Sequence, residues 1–156
     1  MSIDLRNAAI NGELEKVQQL VADGADVNSK YRTGAAVSSL LHVAASRGRR
    51  EVIEFLIDKG ANIEAVDSDG QTPIVFAVKH RHNLLIKLFI EKGADIDVVD
   101  NKENNLLHIA ASVDHPSMVP VIALLREKGV DAEAENEDEN LPKDMCKHKE
   151  VVAALQ

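Results

Sequence analysis

SLLHVAA at residues 39–45 recurs along the chain as TPIVFAV at 72–78 and NLLHIAA at 105–111, each copy beginning 33 residues after the one before. A second series is spaced by 36, 33 and 36 residues: GADVN at 24–28, GANIE at 60–64, GADID at 93–97 and GVDAE at 129–133. The two series share one period. A fixed period of about 33 residues is typical of stacked repeats, in which each unit buries its apolar face only against its neighbours.

One copy shows which local structure the repeat favours. Thr72 is placed to cap a helix with its hydroxyl, and Pro73 suits the first helical position because its missing N–H needs no partner there. Four apolar residues recur at helical spacing and predict a second helix with a buried face: Leu84, Leu85, Leu88 and Phe89. Gly93 ends that helix, since glycine enters the left-handed conformation without steric strain. The unit is therefore predicted to contain two helices.

These motifs resemble the ankyrin repeat, a unit of about 33 residues that has a β-turn, two helices and a T-P-L-H-x-A opening. The resemblance implies an all-α solenoid of helix-turn-helix units with β-turn or hairpin fingers, forming a single domain over 1–156. Five units are expected: an N-terminal cap at 2–30, units at 31–66, 67–99 and 100–135, and a shortened C-terminal cap at 136–156. The resemblance also implies that the motif histidines, His42 and His108, hydrogen-bond backbone between repeats. Structural roles are likewise implied for Thr72, Pro73, Gly24, Gly60, Gly93 and Gly129.

Two units are longer than the period. Unit two has three extra residues in its finger, most simply Ala35, Ala36 and Val37, and their apolar character fits either a partner contact or a loop folded onto its own stack. Unit four holds its extra residues between its two helices, in SVDHPSMVP at 112–120. In unit three, Val75 replaces the motif histidine and Arg81 replaces the glycine between the helices.

Two finger turns lack the family glycine. Glu103 and Glu139 occupy the position that Gly70 fills in unit three. These turns are predicted to adopt another conformation or to shift the positive-φ position to the neighbouring Asn104 or Asn140.

The composition argues against some classes of function. The 156 residues include 18 basic and 26 acidic side chains, a net charge of -8, with 3% aromatic residues. This charge argues against a nucleic-acid partner, whose phosphates need a basic face. No apolar run approaches the roughly 18 residues of a membrane helix, and the N-terminus lacks a secretory pattern. The chain is therefore expected in the cytoplasm, with the nucleus or a host cytosol as alternatives.

Candidate chemistry is sparse. Cys146 is the only cysteine, so no internal disulfide or thiolate zinc cluster is expected. His80 and His82 are two residues apart and do not share a helical face, which disfavours a metal pair. No catalytic triad or phosphate-binding loop is present. The prediction is a protein without enzymatic activity, cofactor or metal.

Two charged segments are candidate contact surfaces. DAEAENEDEN at 131–140 carries six of the acidic residues, and Asn136 and Pro142 exclude a calcium-binding EF-hand loop there. This acidic finger is either a solvated turn or a dock for a basic partner. A basic patch is predicted from Arg47, Arg49, Arg50, Lys79, His80, Arg81 and His82, and it is either solvated or steers a partner.

The family resemblance implies that a partner protein binds the concave surface formed by the finger tips and the first helices. The positions that correspond are Arg32, Thr33, Ser46, Arg47, Ser68, Asp69, Gln71, Lys79, His80, Asn101, Lys102, Asn104, Ser112 and Val113. We therefore expect a monomeric protein–protein interaction module that acts as an adaptor, inhibitor or effector. A self-assembling scaffold and a regulatory subunit of an enzyme are the alternatives.

Overall fold

The computed structural model describes residues 2–33 and 36–156. The described part is mostly helical, with one short antiparallel hairpin, so the predicted all-α fold with β fingers is confirmed. The elements in chain order are α1 (Ser2–Asn11), α2 (Leu14–Ala22), β1 (Lys30–Thr33), β2 (Ala36–Ser39), α3 (Leu40–Ser46), α4 (Arg50–Asp58), α5 (Pro73–Lys79), α6 (Asn83–Glu91), α7 (Leu106–Val113), α8 (Val119–Glu127) and α9 (Lys149–Leu155). Two 3₁₀ helices lie at Pro116–Met118 and Pro142–Met145.

The helices form pairs that stack along one axis. The first helices α1, α3, α5 and α7 pack closely side by side, and α7 packs against the 3₁₀ helix Pro142–Met145. Small, fully buried side chains allow this close approach: Ala8, Ala9, Ala44, Ala45, Ala77, Ala110 and Ala111. The second helices bury larger side chains, such as Ile53, Ile86, Phe89 and Ile122, and lie farther apart. The stack therefore curves, with the first helices on its concave side.

The motif histidines join units two and four to the units that follow them. His42 is fully buried, its Nδ1 accepts the Ser39 backbone N–H at 3.1 Å, and its Nε2 lies 2.8 Å from the Gln71 carbonyl oxygen. His108 repeats the arrangement, with Nε2 2.9 Å from the Asn140 carbonyl oxygen. In both cases the ring connects the start of one helix to the backbone of the following finger.

Unit three lacks this connection. Thr72 lies at the N-cap of α5 and Pro73 begins the helix, but the Thr72 hydroxyl is buried without a hydrogen-bond partner among the described residues. The predicted hydroxyl cap is therefore wrong. In unit two the capping hydroxyl, that of Ser39, lies 2.8 Å from the Nδ1 of His42, whereas unit three has Val75 in the histidine's place and offers no such partner.

The finger turns are built by side chains that bind their own backbone. Gly70 has φ 74°, and Glu103 and Glu139 have φ 59° and 61°. The prediction that the left-handed position moves to the asparagine after each glutamate is wrong, because the glutamates adopt it themselves. Asp100 and Asn136 each accept two backbone N–H groups of their turn at 2.9 to 3.1 Å, and these bonds hold the glutamates in that conformation.

The two longer units differ from the others where expected. In unit two, β1 and β2 pair antiparallel with Lys30 opposite Ser39, and Ala35 lies outside the described residues. In unit four, Asp114 ends α7 with φ 49°, and the first 3₁₀ helix follows before Pro120 enters the first turn of α8.

Candidate protein-binding surface

A groove of about 480 Å³ lies between the fingers and the first helices on the concave side. Its lining includes seven of the predicted contact residues: Asp69, Gln71, Lys79, Asn101, Lys102, Asn104 and Ser112. Asp100 and Ile109 also line it, and the sequence prediction missed both. The repeat period could have found them, since Asp100 is 33 residues after the turn residue Asp67 and Ile109 is 33 residues after Phe76.

Gln71 organises the groove from within. The residue is 6% exposed, so it contributes to the groove mainly from beneath its surface. Its Oε1 accepts a hydrogen bond from the Lys79 ammonium at 2.7 Å, and its Nε2 donates to Asp100 Oδ2 at 3.4 Å. The buried amide thus connects helix α5 to the next finger and positions the Lys79 charge at the groove.

Successive fingers are hydrogen-bonded to each other. The Asn101 backbone N–H donates to the Asp69 carbonyl oxygen at 3.0 Å, and the Glu137 N–H donates to the Lys102 carbonyl oxygen at 3.0 Å. Asn104 is half-buried and accepts a hydrogen bond from Asn136 Nδ2 at 2.8 Å. Because these bonds cross between units, the groove has its shape without a partner.

The other predicted contact residues lie around this groove with different accessibility. The hydroxyls of Ser46 and Ser112 donate to carbonyls of their own helices at 2.9 and 2.8 Å, and Val113 is half-buried. Thr33 lies on β1, but its side chain is outside what the structure describes. The predicted residues with exposed side chains are Arg32, Arg47, Ser68, Asp69, Lys79, His80, Asn101, Lys102 and Ser112.

The predicted basic patch is divided into two parts. Arg47, Lys79, His80 and His82 gather at the ends of α3 and α5, where the His80 and His82 rings lie 6.3 Å apart. Partial burial lowers the pKa of His80, and the nearby positive charges of His82, Lys79 and Arg47 lower it further. Proximity of these groups makes this end of the groove locally cationic.

The remaining arginines do not join that cluster. Arg49 Nε donates to the Ile10 carbonyl oxygen at 2.8 Å, which binds it to α1, and Arg50 forms an ion pair with Glu54 at 2.9 Å. Arg81 lies with Arg50 in a different groove. His82 also lines that groove, so the predicted patch forms two clusters that meet at His82.

All six acidic residues of the acidic finger are exposed. Asn136 is buried, and its side chain holds the turn. Glu133 lies 3.8 Å from the Lys143 ammonium. A groove of about 400 Å³ beside this finger has acidic residues Asp97, Glu103, Asp131 and Glu135 in its lining. The concave surface thus runs from a cationic cluster to a strongly anionic finger.

Groups that carry chemistry are few in the described part of the chain. Across 2–33 and 36–156, no three His, Cys, Asp or Glu side chains are placed to hold a metal ion. No helix in the same ranges is long and apolar enough to cross a membrane. Burial raises the pKa of the Cys146 thiol, and the charges of Asp114 and Asp144 raise it further, which disfavours the reactive thiolate.

A curved stack of paired helices with projecting fingers defines a repeat solenoid, and the chain belongs to the ankyrin repeat family. It matches the family described as ankyrin repeats (3 copies) over residues 5–100 and 41–136. It is 32% identical to mouse Rabankyrin-5 over 131 residues, which are 78% of this chain and 11% of that protein. It is 38% identical over 69 residues to mouse Protein phosphatase 1 regulatory subunit 27, covering 44% of this chain and 43% of that protein. The chain therefore spans less than half the length of either relative.

Proposed function

We propose that this chain is a non-enzymatic adaptor, inhibitor or effector that acts by docking a partner protein in the concave groove. Ankyrin repeats are generally protein–protein interaction modules. The observation that supports this surface is that exposed residues of two fingers and two first helices line one groove, held by hydrogen bonds that cross between units. Binding to a preformed surface avoids much of the entropy loss of ordering it.

The charge of the surface indicates the kind of partner. Arg47 and Lys79 present positive charge at one end, and the acidic finger at 131–140 presents negative charge at the other. A partner segment with acidic residues toward the first end and basic residues toward the second fits both. Charge complementarity of this type raises association rates and selects the orientation of docking. The proposal takes the chain to be a monomer that acts in the cytoplasm.

The experiment is affinity capture from a cell lysate with three folded proteins. The groove variant carries Arg47→Glu, Lys79→Glu and Lys102→Glu. The control variant carries Lys16→Glu, Lys59→Glu and Lys128→Glu, which change the charge by the same amount at exposed positions away from the groove. Circular dichroism establishes that each is folded. A partner that is retained by wild type and the control but lost by the groove variant supports the proposal.

The captured protein is then purified for a direct measurement. We expect the groove variant to weaken its affinity at least tenfold and the control variant to change it less than twofold. Hydrogen exchange in the complex is expected to slow in the fingers at 67–71 and 100–104. Equal affinity for both variants, with no slowing in these fingers, would exclude the concave groove.

A regulatory subunit of an enzyme is the second candidate, favoured by the likeness to Protein phosphatase 1 regulatory subunit 27. Titration of the purified chain into protein phosphatase 1 tests it. A saturable change in phosphatase activity that the groove variant does not produce would support this role, and an unchanged activity would exclude it for that enzyme.

A further inference from the structure

We propose a second binding surface on the convex side of the stack, where α6 and α8 present an apolar groove to an acidic amphipathic helix of a partner protein. The starting observation is Leu84, in the first turn of α6, which is 69% exposed, so the prediction that it belongs to the buried face of this helix is wrong. It lies beside apolar residues of α8, and covering such a contiguous apolar surface is favourable.

Leu84 can be compared with the equivalent residues of the other second helices. The fully buried Val17, Ile53, Ile86 and Ile122 align the four second helices, and the residue two before each is Glu15, Glu51, Leu84 or Pro120. The residue two before each of the buried Leu56, Phe89 and Leu125 shows a related change and is Glu54, Lys87 or Ala123. Both positions are acidic in α4, and both are apolar in α8. The convex surface therefore changes from acidic to apolar along the stack.

Leu84 lies where two grooves meet. A groove of about 400 Å³ is lined by Gly48, Arg50, Arg81, His82, Asn83, Leu84 and Leu85. A second groove, of about 410 Å³, runs between α6 and α8 and is lined by Asn83, Leu84, Lys87, Pro120, Val121, Ala123, Leu124 and Glu127. Asn83 fixes this junction, since its Nδ2 donates to the Ser117 carbonyl oxygen at 3.0 Å. Together the grooves form one apolar channel, and none of its lining residues also lines the concave groove.

The charges that line the channel indicate which kind of partner helix fits it. The chain has a net charge of -8, yet the charged residues that line the channel are Arg81, Lys87, Arg50, which is paired with Glu54 at 2.9 Å, and the acidic Glu127. Arg81 is exposed at the turn before α6, and Lys87 is exposed one turn after Leu84. An acidic helix with apolar residues on one face fits this channel, because such helices lay the apolar face in a groove and keep their charges at its rim. A second copy of this chain, also acidic overall, fits it less well.

The test uses a phage-displayed library of random peptides of about 16 residues, long enough for a helix of about 24 Å. Selection is on the wild-type chain alone, so that dependence on Leu84 is a result of the measurement. The Leu84→Gln variant removes the apolar side chain without adding charge at an exposed position, so it is expected to fold, and circular dichroism checks this. Selected peptides are labelled, and their affinities are measured by fluorescence anisotropy. The proteins compared are wild type, Leu84→Gln, Arg81→Glu and the concave-groove variant.

We expect the selected peptides to be acidic, with apolar residues three or four apart. Leu84→Gln is expected to weaken their binding at least tenfold and Arg81→Glu three- to tenfold, while the concave-groove variant changes it less than twofold. This last result separates the convex surface from the function proposed above. The proposal is overturned if no selected peptide depends on Leu84 or if the dependent peptides are basic. It is also overturned if light scattering shows that wild type, but not Leu84→Gln, dimerises with increasing concentration.

Discussion

At the scale of single residues, four left-handed positions among the described residues carry side chains where other units have glycine: Arg81, Glu103, Asp114 and Glu139. Arg81 has φ 59°, and the equivalent Gly12 and Gly48 have φ 79° and 71°. A left-handed conformation is unfavourable for a residue with a Cβ by roughly 1–2 kcal/mol, and glycine loses part of that advantage through its freedom in the unfolded chain. Glu103 and Glu139 are in the same situation.

Arg81→Gly is therefore expected to raise the free energy of unfolding by about 0.5–1 kcal/mol. Denaturant titration at neutral pH measures it. Gly48→Ala is the control in the opposite direction and is expected to lower the free energy of unfolding. The alanine would need the same left-handed backbone, and its Cβ would lie 2.9 Å from the His82 ring. The explanation by backbone strain fails if Arg81→Gly lowers stability.

His42 makes stability depend on pH. Burial lowers its pKa, although the hydrogen bond to the Gln71 carbonyl and the charge of Asp67 act in the opposite direction. Because the pKa of His42 in the folded chain is below the ordinary value of 6.5, the unfolded chain binds a proton at this residue more readily than the folded chain does. The stability that neutral His42 contributes is present above about pH 6.5 and decreases as the pH falls toward the folded-state pKa.

His42→Val is expected to lower the free energy of unfolding by about 1–3 kcal/mol at pH 7.5, because it removes the bonds to Ser39 and Gln71. The difference between wild type and this variant should shrink as the pH is lowered from 7.5 to 5. Chemical denaturation at each pH tests this. A difference that grows on acidification contradicts the neutral, buried ring.

At the scale of elements, α9 depends on a side chain from the preceding unit. Asp114 Oδ1 accepts the backbone N–H groups of His148 at 2.7 Å and Lys147 at 3.0 Å, just before the helix begins. These two bonds, led by that from His148, lower the pKa of Asp114. The carboxylate thus caps a helix of another unit, as an acidic group at a helix N-terminus does within one unit.

Asp114→Ala is expected to speed hydrogen exchange in α9 more than in α3 or α5. Asp114→Asn keeps an acceptor and suits the left-handed backbone, so it should retain most of the protection. Because the folded-state pKa is lowered, the contribution of the charge is present above about pH 4 and is lost as the pH falls below it. The wild type and Asp114→Asn should therefore converge in melting temperature between pH 5 and pH 3. Equal exchange in all three proteins would show that the cap does not hold α9.

The elements also show what a sequence reading can and cannot predict. Ala44, Ala77 and Ala110 recur with the period and are fully buried, so the pattern predicts the stack directly. Gln71 was predicted to face a partner because it lies in a finger, yet it is buried between Lys79 and Asp100. Such bonds join side chains of different units, which a single repeat pattern does not contain.

At the scale of the whole molecule, the concave groove and the convex channel have no lining residue in common, and His82 lies between the cationic cluster and the channel. The cationic end of the concave groove contains Arg47 and Lys79, whereas the convex channel contains Leu84 and Lys87. Small side chains between the first helices and large ones between the second give the stack its curvature. The two partners proposed above would therefore contact different lining residues.

Nearest-neighbour packing also sets how the stack unfolds. The layer of α5 and α6 packs between two other layers, whereas α9 closes the end of the stack. Phe89 in α6 is fully buried, and Phe89→Ala is expected to lower the free energy of unfolding by about 3–5 kcal/mol in a single transition. Leu155 in α9 is 1% exposed, but Leu155→Ala should release only the end layer. Native-state hydrogen exchange separates these cases, with protection lost in α9 and the 3₁₀ helix Pro142–Met145 but kept in α3 through α7. If Leu155→Ala lowers protection in α3 as much as in α9, the stack unfolds as one cooperative unit, and stability is not a sum over neighbouring layers.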